Sequence, residues 1–246
     1  MQAPTTIRNQ FGERLDHVFT PGREGGRDLV VIGHGVTSHH DRPYFAELCA
    51  GFARAATASL RFSFAGNGNS EGRFEDCTIT KEVGDLGSVL DAFDGWNVTY
   101  VGHSMGGAVG MLRASMDERL AALVSMAGMV QVQAFMERVF GHLEPDREDM
   151  LDREGCPLTR TFLDDAKRIG TVLPQAAALE LPFLIVHGSA DELVPIEESY
   201  ELHEANATSE LAVLEGVDHR FTDHLDELVR TVVSWTTAQL SSPRKS

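Results

Sequence analysis

One serine stands in a setting that favours nucleophilic chemistry. Ser104 is the central residue of Gly102-His-Ser-Met-Gly106, a G-x-S-x-G pattern. Residues 97–101 are β-branched and aromatic and predict a buried strand before it, while the small residues after Met105 predict the start of a helix. A serine at so sharp a turn from strand to helix is held in a strained backbone conformation that exposes its hydroxyl. We therefore predict that Ser104 is a nucleophile, against the alternative of an ordinary glycine-rich turn.

A serine nucleophile needs a base to accept its proton and a carboxylate to orient that base. Asp191 and His219 each lie in a loop after a predicted strand, and they give the chain order Ser–acid–His that such a turn requires. His224 is the competing base, in the helix that follows. Asp218 is the competing acid, but it adjoins His219 and cannot easily reach round the imidazole ring. We predict a triad of Ser104, Asp191 and His219.

The elements that must position this triad alternate between strand and helix patterns. Continuous apolar runs such as residues 28–33 are typical of strands covered on both faces. Parallel neighbours need crossover connections, so this alternation predicts a mostly parallel sheet whose carboxyl ends share one edge. The predicted strands are 5–9, 14–20, 28–33, 59–64, 97–101, 120–126, 182–186 and 210–215. The predicted helices between and after them are 43–56, a helix capped by Thr80, 196–204 and 222–240.

The alternation pauses between about residues 127 and 179, where the sequence shows no clear strand. Apolar residues that include Phe135 and Phe140 recur there at helical spacing, and a second helix is predicted near 161–168, ended by Gly170. We interpret this segment as a helical lid inserted into a single domain that spans residues 1–246. Two explanations account equally well for these apolar residues: they pack onto the domain, or they line a substrate pocket. The second reading makes Phe135 and Phe140 substrate-binding residues.

A second glycine turn follows the strand predicted at 28–33. Gly35 in His34-Gly-Val36 lets the chain turn tightly and present backbone N–H groups to a ligand. Taken alone, a strand followed by His-Gly is explained equally well by a structural turn and by a catalytic role. Combined with the turn at Ser104, it predicts the second half of an oxyanion hole.

Composition narrows the class of partner. The chain has 246 residues, which fits one α/β domain, and its 37 acidic and 21 basic residues give a net charge of −16. That charge argues against nucleic acid or an anionic membrane as a partner. The sequence shows no apolar run of membrane-spanning length and no signal pattern, and its cysteines are widely spaced without a metal motif. We therefore expect a cytoplasmic protein with reduced thiols and no bound metal.

Four motifs resemble those of the α/β-hydrolase superfamily, of the serine esterase and lipase type, and the likeness covers nearly the whole chain. They are His34-Gly-Val36, Gly102-His-Ser-Met-Gly-Gly107, His187-Gly-Ser-Ala-Asp-Glu-Leu-Val-Pro195 and Gly216-Val-Asp-His-Arg-Phe221. A fifth stretch, residues 61–72, is similar to the R-F-D-F-x-G-x-G-x-S-x-G block of cinnamoyl/feruloyl-esterase-like and acyl-peptidase-like hydrolases. Ser63 replaces the usual aspartate of that block, which weakens the assignment to this subgroup.

The resemblance implies an α/β-hydrolase fold, with a mostly parallel central sheet flanked by helices and a small helical lid. It implies the same triad and places the oxyanion against the N–H groups of Val36 and Met105. The implied activity is that of a serine hydrolase, most closely a carboxylesterase, acting on a small-molecule acyl or aryl ester without metal or organic cofactor. Thioesterase, peptidase and carbon–carbon bond hydrolase activities, and a non-catalytic ligand receptor, stay open as alternatives because the fold does not choose among them.

Overall fold

The computed structural model describes residues 4–241, so the two ends of the predicted domain, 1–3 and 242–246, lie outside the described residues. Strands and helices alternate along this part of the chain, as the apolar pattern predicts. The strands are β1 (Ile7–Arg8), β2 (Arg14–Leu15), β3 (His17–Thr20), β4 (Asp28–Gly33), β5 (Ala58–Phe62), β6 (Asn97–His103), β7 (Leu120–Met126), β8 (Phe183–Gly188) and β9 (Ser209–Leu214). The α-helices are α1 (Pro43–Arg54), α2 (Ile79–Ala92), α3 (Met105–Ala114), α4 (Val132–Phe140), α5 (Arg160–Ile169), α6 (Leu173–Ala177), α7 (Ile196–Ala205) and α8 (Leu225–Ser241).

Seven of the strands form one central sheet in the order β3-β5-β4-β6-β7-β8-β9. The edge strand β3 pairs antiparallel with β5, and every other pair of neighbours is parallel. This confirms the predicted mostly parallel sheet flanked by helices. Because the strands run the same way, the loops after β4, β6, β8 and β9 open at one edge of the sheet.

The strand predicted at 14–20 is wrong as a single element, because it is divided between two sheets. Its first part, β2, pairs with β1 in a separate two-stranded sheet, and its second part is β3. The break falls at Asp16, whose N–H donates to Ser70 Oγ at 2.8 Å and whose C=O accepts from the Ser63 N–H at 2.9 Å. Bonds to a distant loop therefore replace the ladder at this residue, and the local pattern did not show them.

Both faces of the sheet are covered, which explains the continuous apolar sequence of its strands. In β4, Val30 and Ile32 pack in a cluster with side chains of α1 and α8. Leu29 and Val31 point to the opposite face and join the larger cluster formed with α2 and α3. Alternate residues thus enter two different cores. This packing on both faces fixes the position of each strand, and therefore the positions of the loops that follow the strands.

The helix predicted from a cap at Thr80 begins two residues earlier. Thr78 has the extended backbone of a capping residue, and its Oγ1 accepts a hydrogen bond from the Lys81 N–H at 3.0 Å. Thr80 bonds Asp165 of α5 through its N–H at 2.9 Å and its Oγ1 at 2.6 Å. The tertiary contact with Asp165 therefore engages Thr80, and Thr78 caps the helix instead.

Helices α4, α5 and α6 occupy the chain between β7 and β8. The structure confirms the helix predicted near 161–168 and its end at Gly170, whose φ is 66°. The five-residue helix α6 was not predicted, since it is too short to show a periodic apolar stripe. Whether this segment acts as a lid stays a prediction.

No helix within residues 4–241 is both long enough and apolar enough to cross a membrane.

Candidate active site

The turn between β6 and α3 holds Ser104 in a strained backbone conformation. Its φ is 56° and its ψ is −121°, a region that residues other than glycine seldom adopt. The Ser104 N–H donates to Met126 O at 2.9 Å, and its C=O accepts from the Met129 N–H at 3.0 Å. A Cβ at Gly102 would lie 2.2 Å from Gly106 O, so this tight turn requires glycine there. The predicted sharp turn at Ser104 is present.

The imidazole of His219 and the carboxylate of Asp191 meet at the carboxyl edge of the sheet. Asp191 follows β8, His219 follows β9, and His219 Nδ1 lies 2.7 Å from Asp191 Oδ2. The Asp191 side chain is fully buried and that of His219 is nearly so. This hydrogen bond fixes the ring through Nδ1, and within residues 4–241 no hydrogen bond engages the other ring nitrogen, Nε2. The structure thus brings together the two residues predicted as acid and base.

The loop after β8 anchors Asp191 on its other side. Asp191 Oδ1 accepts hydrogen bonds from the N–H groups of Leu193 at 2.8 Å and Val194 at 2.9 Å. Burial raises the pKa of this carboxyl, but hydrogen bonds from His187 and His219 outweigh burial and hold the pKa below its ordinary value. Asp191 is therefore an ionised, immobile acceptor for the imidazole.

His187 also bonds Asp191. Its Nε2 lies 3.2 Å from Asp191 Oδ2 and 3.0 Å from Val194 O, and its Nδ1 lies 2.6 Å from Ser199 Oγ. A carbonyl oxygen can only accept, so the proton of this ring belongs on Nε2 when His187 is neutral. His187 therefore positions the carboxylate and the loop around it.

His103 supports the loop that carries His219. Its Nε2 lies 2.8 Å from the backbone oxygen of His219, which accepts the hydrogen bond, and its Nδ1 lies 3.3 Å from the Tyr44 hydroxyl. Burial is the main cause that lowers the pKa of His103 to about 3, so the ring is neutral at physiological pH.

The loop after β4 lies directly against Ser104. A Cβ added to Gly35 would lie 2.8 Å from Ser104 Cβ and 3.2 Å from its Oγ, so glycine permits this approach. His34 Nε2 accepts from the Phe64 N–H at 3.1 Å and fixes the strand end. Val36 follows in this loop, and Met105 is the first residue of α3, so its N–H has no acceptor inside the helix. Both predicted oxyanion residues thus adjoin the Ser104 turn in the chain or in space.

A cavity of about 370 Å³ opens at this point, and both Ser104 and His219 line it. Val36 of the β4 loop and Phe135 of α4 form part of the same wall. The predicted nucleophile, base, oxyanion loop and one predicted substrate-binding residue therefore face one space. The remaining lining includes the apolar or aromatic side chains of Tyr44, Leu151, Leu193 and Leu225, the cationic side chains of Arg42, Arg153 and Arg220, and the polar or acidic side chains of Thr37, Ser38, Thr222 and Asp223.

Phe140 does not line this cavity. Its ring packs edge-on against that of Phe135, with the centroids 5.9 Å apart, and it borders a separate cavity between α4 and α5. The two phenylalanines lie five positions apart on one helix and point to different spaces. The structure therefore separates a pair that the apolar stripe had grouped together.

The competing residues occupy other places. Asp218 Oδ1 accepts hydrogen bonds from the N–H groups of Arg220 at 3.1 Å and Thr222 at 2.7 Å, and so stabilises the loop itself. His224 Nδ1 lies 3.8 Å from Glu227 Oε2, one turn along the chain. Neither residue lines the cavity of Ser104.

Family comparison agrees with this geometry. The family Hydrolase_4, described as serine aminopeptidase S33, has a model that matches residues 25–147 and 142–226, and these cover most of the chain. The chain belongs to this family. The α/β-hydrolase superfamily that the sequence motifs indicated is thereby confirmed.

Solved structures share the fold of this S33-family chain over nearly its whole length. Est1E from Butyrivibrio proteoclasticus, in a complex with ferulic acid, superposes with a TM-score of 0.86 at 25% identity and covers 97% of this chain and 100% of its own. Alpha/beta hydrolase domain-containing protein 10 from mouse gives a TM-score of 0.79 at 19% identity, covering 96% and 99% of the two chains. The second likeness shows the fold alone.

Among curated relatives, the mitochondrial palmitoyl-protein thioesterase ABHD10 of Mus musculus is 28% identical over 183 residues. The match covers 69% of this chain and 61% of the relative, so the chain spans less than two thirds of that protein's length.

Sequence reasoning missed two kinds of residue in this S33-family site. His187 and His103 support the Asp191–His219 pair, yet no local pattern distinguishes a supporting histidine from a turn histidine. The cavity arginines Arg42, Arg153 and Arg220 come from three distant segments. Only Arg220 carried a signal, because it adjoins the predicted base.

Proposed function

We propose that this protein is a serine hydrolase, most closely a carboxylesterase that cleaves small acyl or aryl esters. One observation carries the proposal. A buried carboxylate holds an imidazole at 2.7 Å, and that imidazole shares a cavity wall with a serine in a strained turn. Asp191, His219 and Ser104 are therefore assigned as acid, base and nucleophile.

In this mechanism His219 accepts the Ser104 proton through Nε2 while Ser104 Oγ attacks the ester carbonyl. The developing oxyanion accepts hydrogen bonds from the N–H groups of Val36 and Met105, and loss of one such donor costs ~10²–10³ in rate. His219 then returns its proton to the departing alcohol, which leaves an acyl-enzyme. Water attacks this ester with His219 again as base; the bond between the acyl carbon and Ser104 Oγ then breaks as His219 returns the proton to Ser104, which releases the carboxylic acid. Asp191 keeps the ring oriented and stabilises the imidazolium throughout.

A fluorophosphonate probe tests the assignment of the nucleophile. We expect wild-type protein to be labelled at Ser104 and to hydrolyse p-nitrophenyl acetate, and Ser104→Ala to lose labelling and about 10³-fold or more of the turnover. Ser115→Ala is the matched control, since it makes the same change at the exposed C-terminal end of α3. Turnover that survives in Ser104→Ala at the level of Ser115→Ala would contradict the serine mechanism.

Thioester hydrolysis is the second candidate, and the relationship to a protein described as a palmitoyl-protein thioesterase favours it. The same triad attacks either carbonyl, so paired substrates must decide. Butanoyl oxyesters and thioesters of matched leaving-group acidity should be compared by kcat/KM in wild type and in Ser104→Ala. An oxyester preference supports the carboxylesterase assignment, and a thioester preference replaces it.

A further inference from the structure

Three arginine side chains converge on the cavity that holds Ser104. Arg42 precedes α1, Arg153 belongs to the segment between α4 and α5, and Arg220 follows His219. Their convergence is unexpected in a chain with a net charge of −16. An excess of positive charge at one concave site of an acidic protein indicates recognition of an anion.

These guanidinium groups lack carboxylate partners in the part of the chain that the structure describes. No Asp or Glu oxygen within residues 4–241 lies within 4.0 Å of a side-chain nitrogen of Arg42, Arg153 or Arg220. Arg42 Nε donates instead to Ser38 Oγ at 2.9 Å, which orients the group without neutralising it. Their hydrogen-bond donors are thus available to a ligand in the cavity.

Arg153 and Arg220 both lie close enough to Arg42 for their charges to act on it. Burial lowers the pKa of Arg42, and the charges of Arg153 and Arg220 lower it further. The charges of Arg42 and Arg153 likewise add to the effect of burial in lowering the pKa of His39. A bound anion would relieve this repulsion between like charges.

The acidic residues near the three arginines are too few to neutralise their positive charge. Asp223 also lines the cavity, and Asp218 receives the Arg220 backbone N–H. Of these two carboxylates, neither forms an ion pair with the three guanidiniums among the described residues. Three cations against one carboxylate on the cavity wall leave a net positive lining.

We propose that the substrate of this site carries an anionic group, a carboxylate or a phosphate, which Arg42, Arg153 and Arg220 bind while its ester carbonyl lies at Ser104. The planar guanidinium fork matches both anions through paired N–H···O bonds. The anion and the carbonyl must fit together in a cavity of about 370 Å³, so the two groups are separated by a short carbon skeleton. Phe135, Leu151 and Leu193 supply the apolar wall for that skeleton. This inference rests on the proposed hydrolase function of the same site.

Matched ester pairs test the proposal and distinguish the possible positions of the anion. The acyl-side pair is mono-4-nitrophenyl glutarate and 4-nitrophenyl pentanoate. The alcohol-side pairs compare 4-butanoyloxybenzoate, then 4-butanoyloxyphenyl phosphate, with 4-butanoyloxybenzamide. We expect kcat/KM to favour the anionic member about 10-fold or more in at least one pair. We also expect that preference to decline as salt is added, because exposed charges are screened.

Arginine variants then assign the preference to the cluster. Arg153→Gln and the double variant Arg42→Gln/Arg153→Gln should reduce the anionic-to-neutral ratio by about 10- to 100-fold, the usual loss for a hydrogen bond to a charged group. Arg230→Gln removes the same charge from the exposed side of α8 and should leave the ratio unchanged. Unfolding midpoints identify any variant that is destabilised. The anionic-to-neutral ratio of the other arginine variant then tests the proposal.

Two failures can be told apart. If wild type is not labelled by fluorophosphonate and cleaves no ester, the proposed hydrolase function fails. If it cleaves neutral esters at least as well as every anionic partner, or if both arginine variants keep the wild-type ratio, the function stands and the anion proposal is overturned.

Discussion

Replacement of Asp191 by asparagine is a sharp test of how this site controls its imidazole. The carboxylate has two separate tasks in the structure. Oδ1 accepts the N–H groups of Leu193 and Val194, at 2.8 Å and 2.9 Å, and Oδ2 accepts from His219 Nδ1 at 2.7 Å. An asparagine has one oxygen and one NH₂ group for these positions, so it cannot perform both tasks.

The backbone decides which way the new amide faces. If its nitrogen faced Leu193 and Val194, the N–H groups of both residues would lose their acceptor. Each lost hydrogen bond would lower the free energy of unfolding by about 1 kcal/mol, and by more when the donor is buried. The amide oxygen should therefore keep the backbone bonds, and the NH₂ group should face His219. His219 Nδ1 then accepts, its proton moves to Nε2, and the ring can no longer take a proton from Ser104.

The expected cost is of the order of 10⁴ in kcat, the loss known for a triad whose histidine is held in the wrong tautomer. The assay is kcat for p-nitrophenyl acetate, measured together with the rate of fluorophosphonate labelling, and both should fall. The NH₂ group cannot accept from His187 Nε2, which lies 3.2 Å from Asp191 Oδ2 in the wild type, but that nitrogen keeps its bond to Val194 O at 3.0 Å. The fold should therefore persist, because the replacement is nearly isosteric and keeps the two backbone hydrogen bonds.

Asp218→Asn is the matched control, one residue from His219. Its side-chain oxygen can still accept from Arg220 and Thr222, so its activity should stay within about threefold of wild type. An Asp191→Asn variant that retains more than a tenth of wild-type kcat would refute the tautomer argument. An Asp218→Asn loss as large as that of Asp191→Asn would show that the wrong carboxylate was assigned.

The remaining predictions concern specificity and stability. Phe135→Ala and Phe140→Ala should each lower the free energy of unfolding by about 3–5 kcal/mol, since both rings are buried. Only Phe135→Ala should also reorder kcat/KM across p-nitrophenyl esters of increasing chain length, by ~10–200-fold, and equal reordering by both variants would contradict the separation of the two cavities. Burial, and then the charge of Asp85, raise the pKa of Glu82 well above its ordinary 4.5, so the folded state keeps a proton that the unfolded chain loses as pH rises. Glu82→Gln should therefore gain free energy of unfolding relative to wild type above about pH 5, by up to about 1.4 kcal/mol per pH unit, and urea titrations that show a constant difference would exclude this.

Much of the fold follows from the sequence because its signals are local. The apolar run of residues 28–33 needs cover on both faces wherever it lies, and the structure provides a helix layer on each side. The turn at Ser104 needs glycine at 102 because the clash with Gly106 O arises within a few residues. The local pattern failed at Asp16 and Thr80, where partners far along the chain decide the hydrogen bonding.

The features of the candidate site also separate into those that the sequence determined and those that only the tertiary structure decided. The sequence by itself determined which residue types follow which strands, so Ser104, Asp191 and His219 could be named from chain order and turn chemistry. Tertiary structure alone decided that His187 and His103 support the Asp191–His219 pair, and that Phe135 faces the cavity while Phe140 does not. It alone brought Arg42, Arg153 and Arg220 to one wall. Backbone preferences act over a few residues, whereas the direction of a side chain and its distant neighbours depend on how packed layers fix each loop in space.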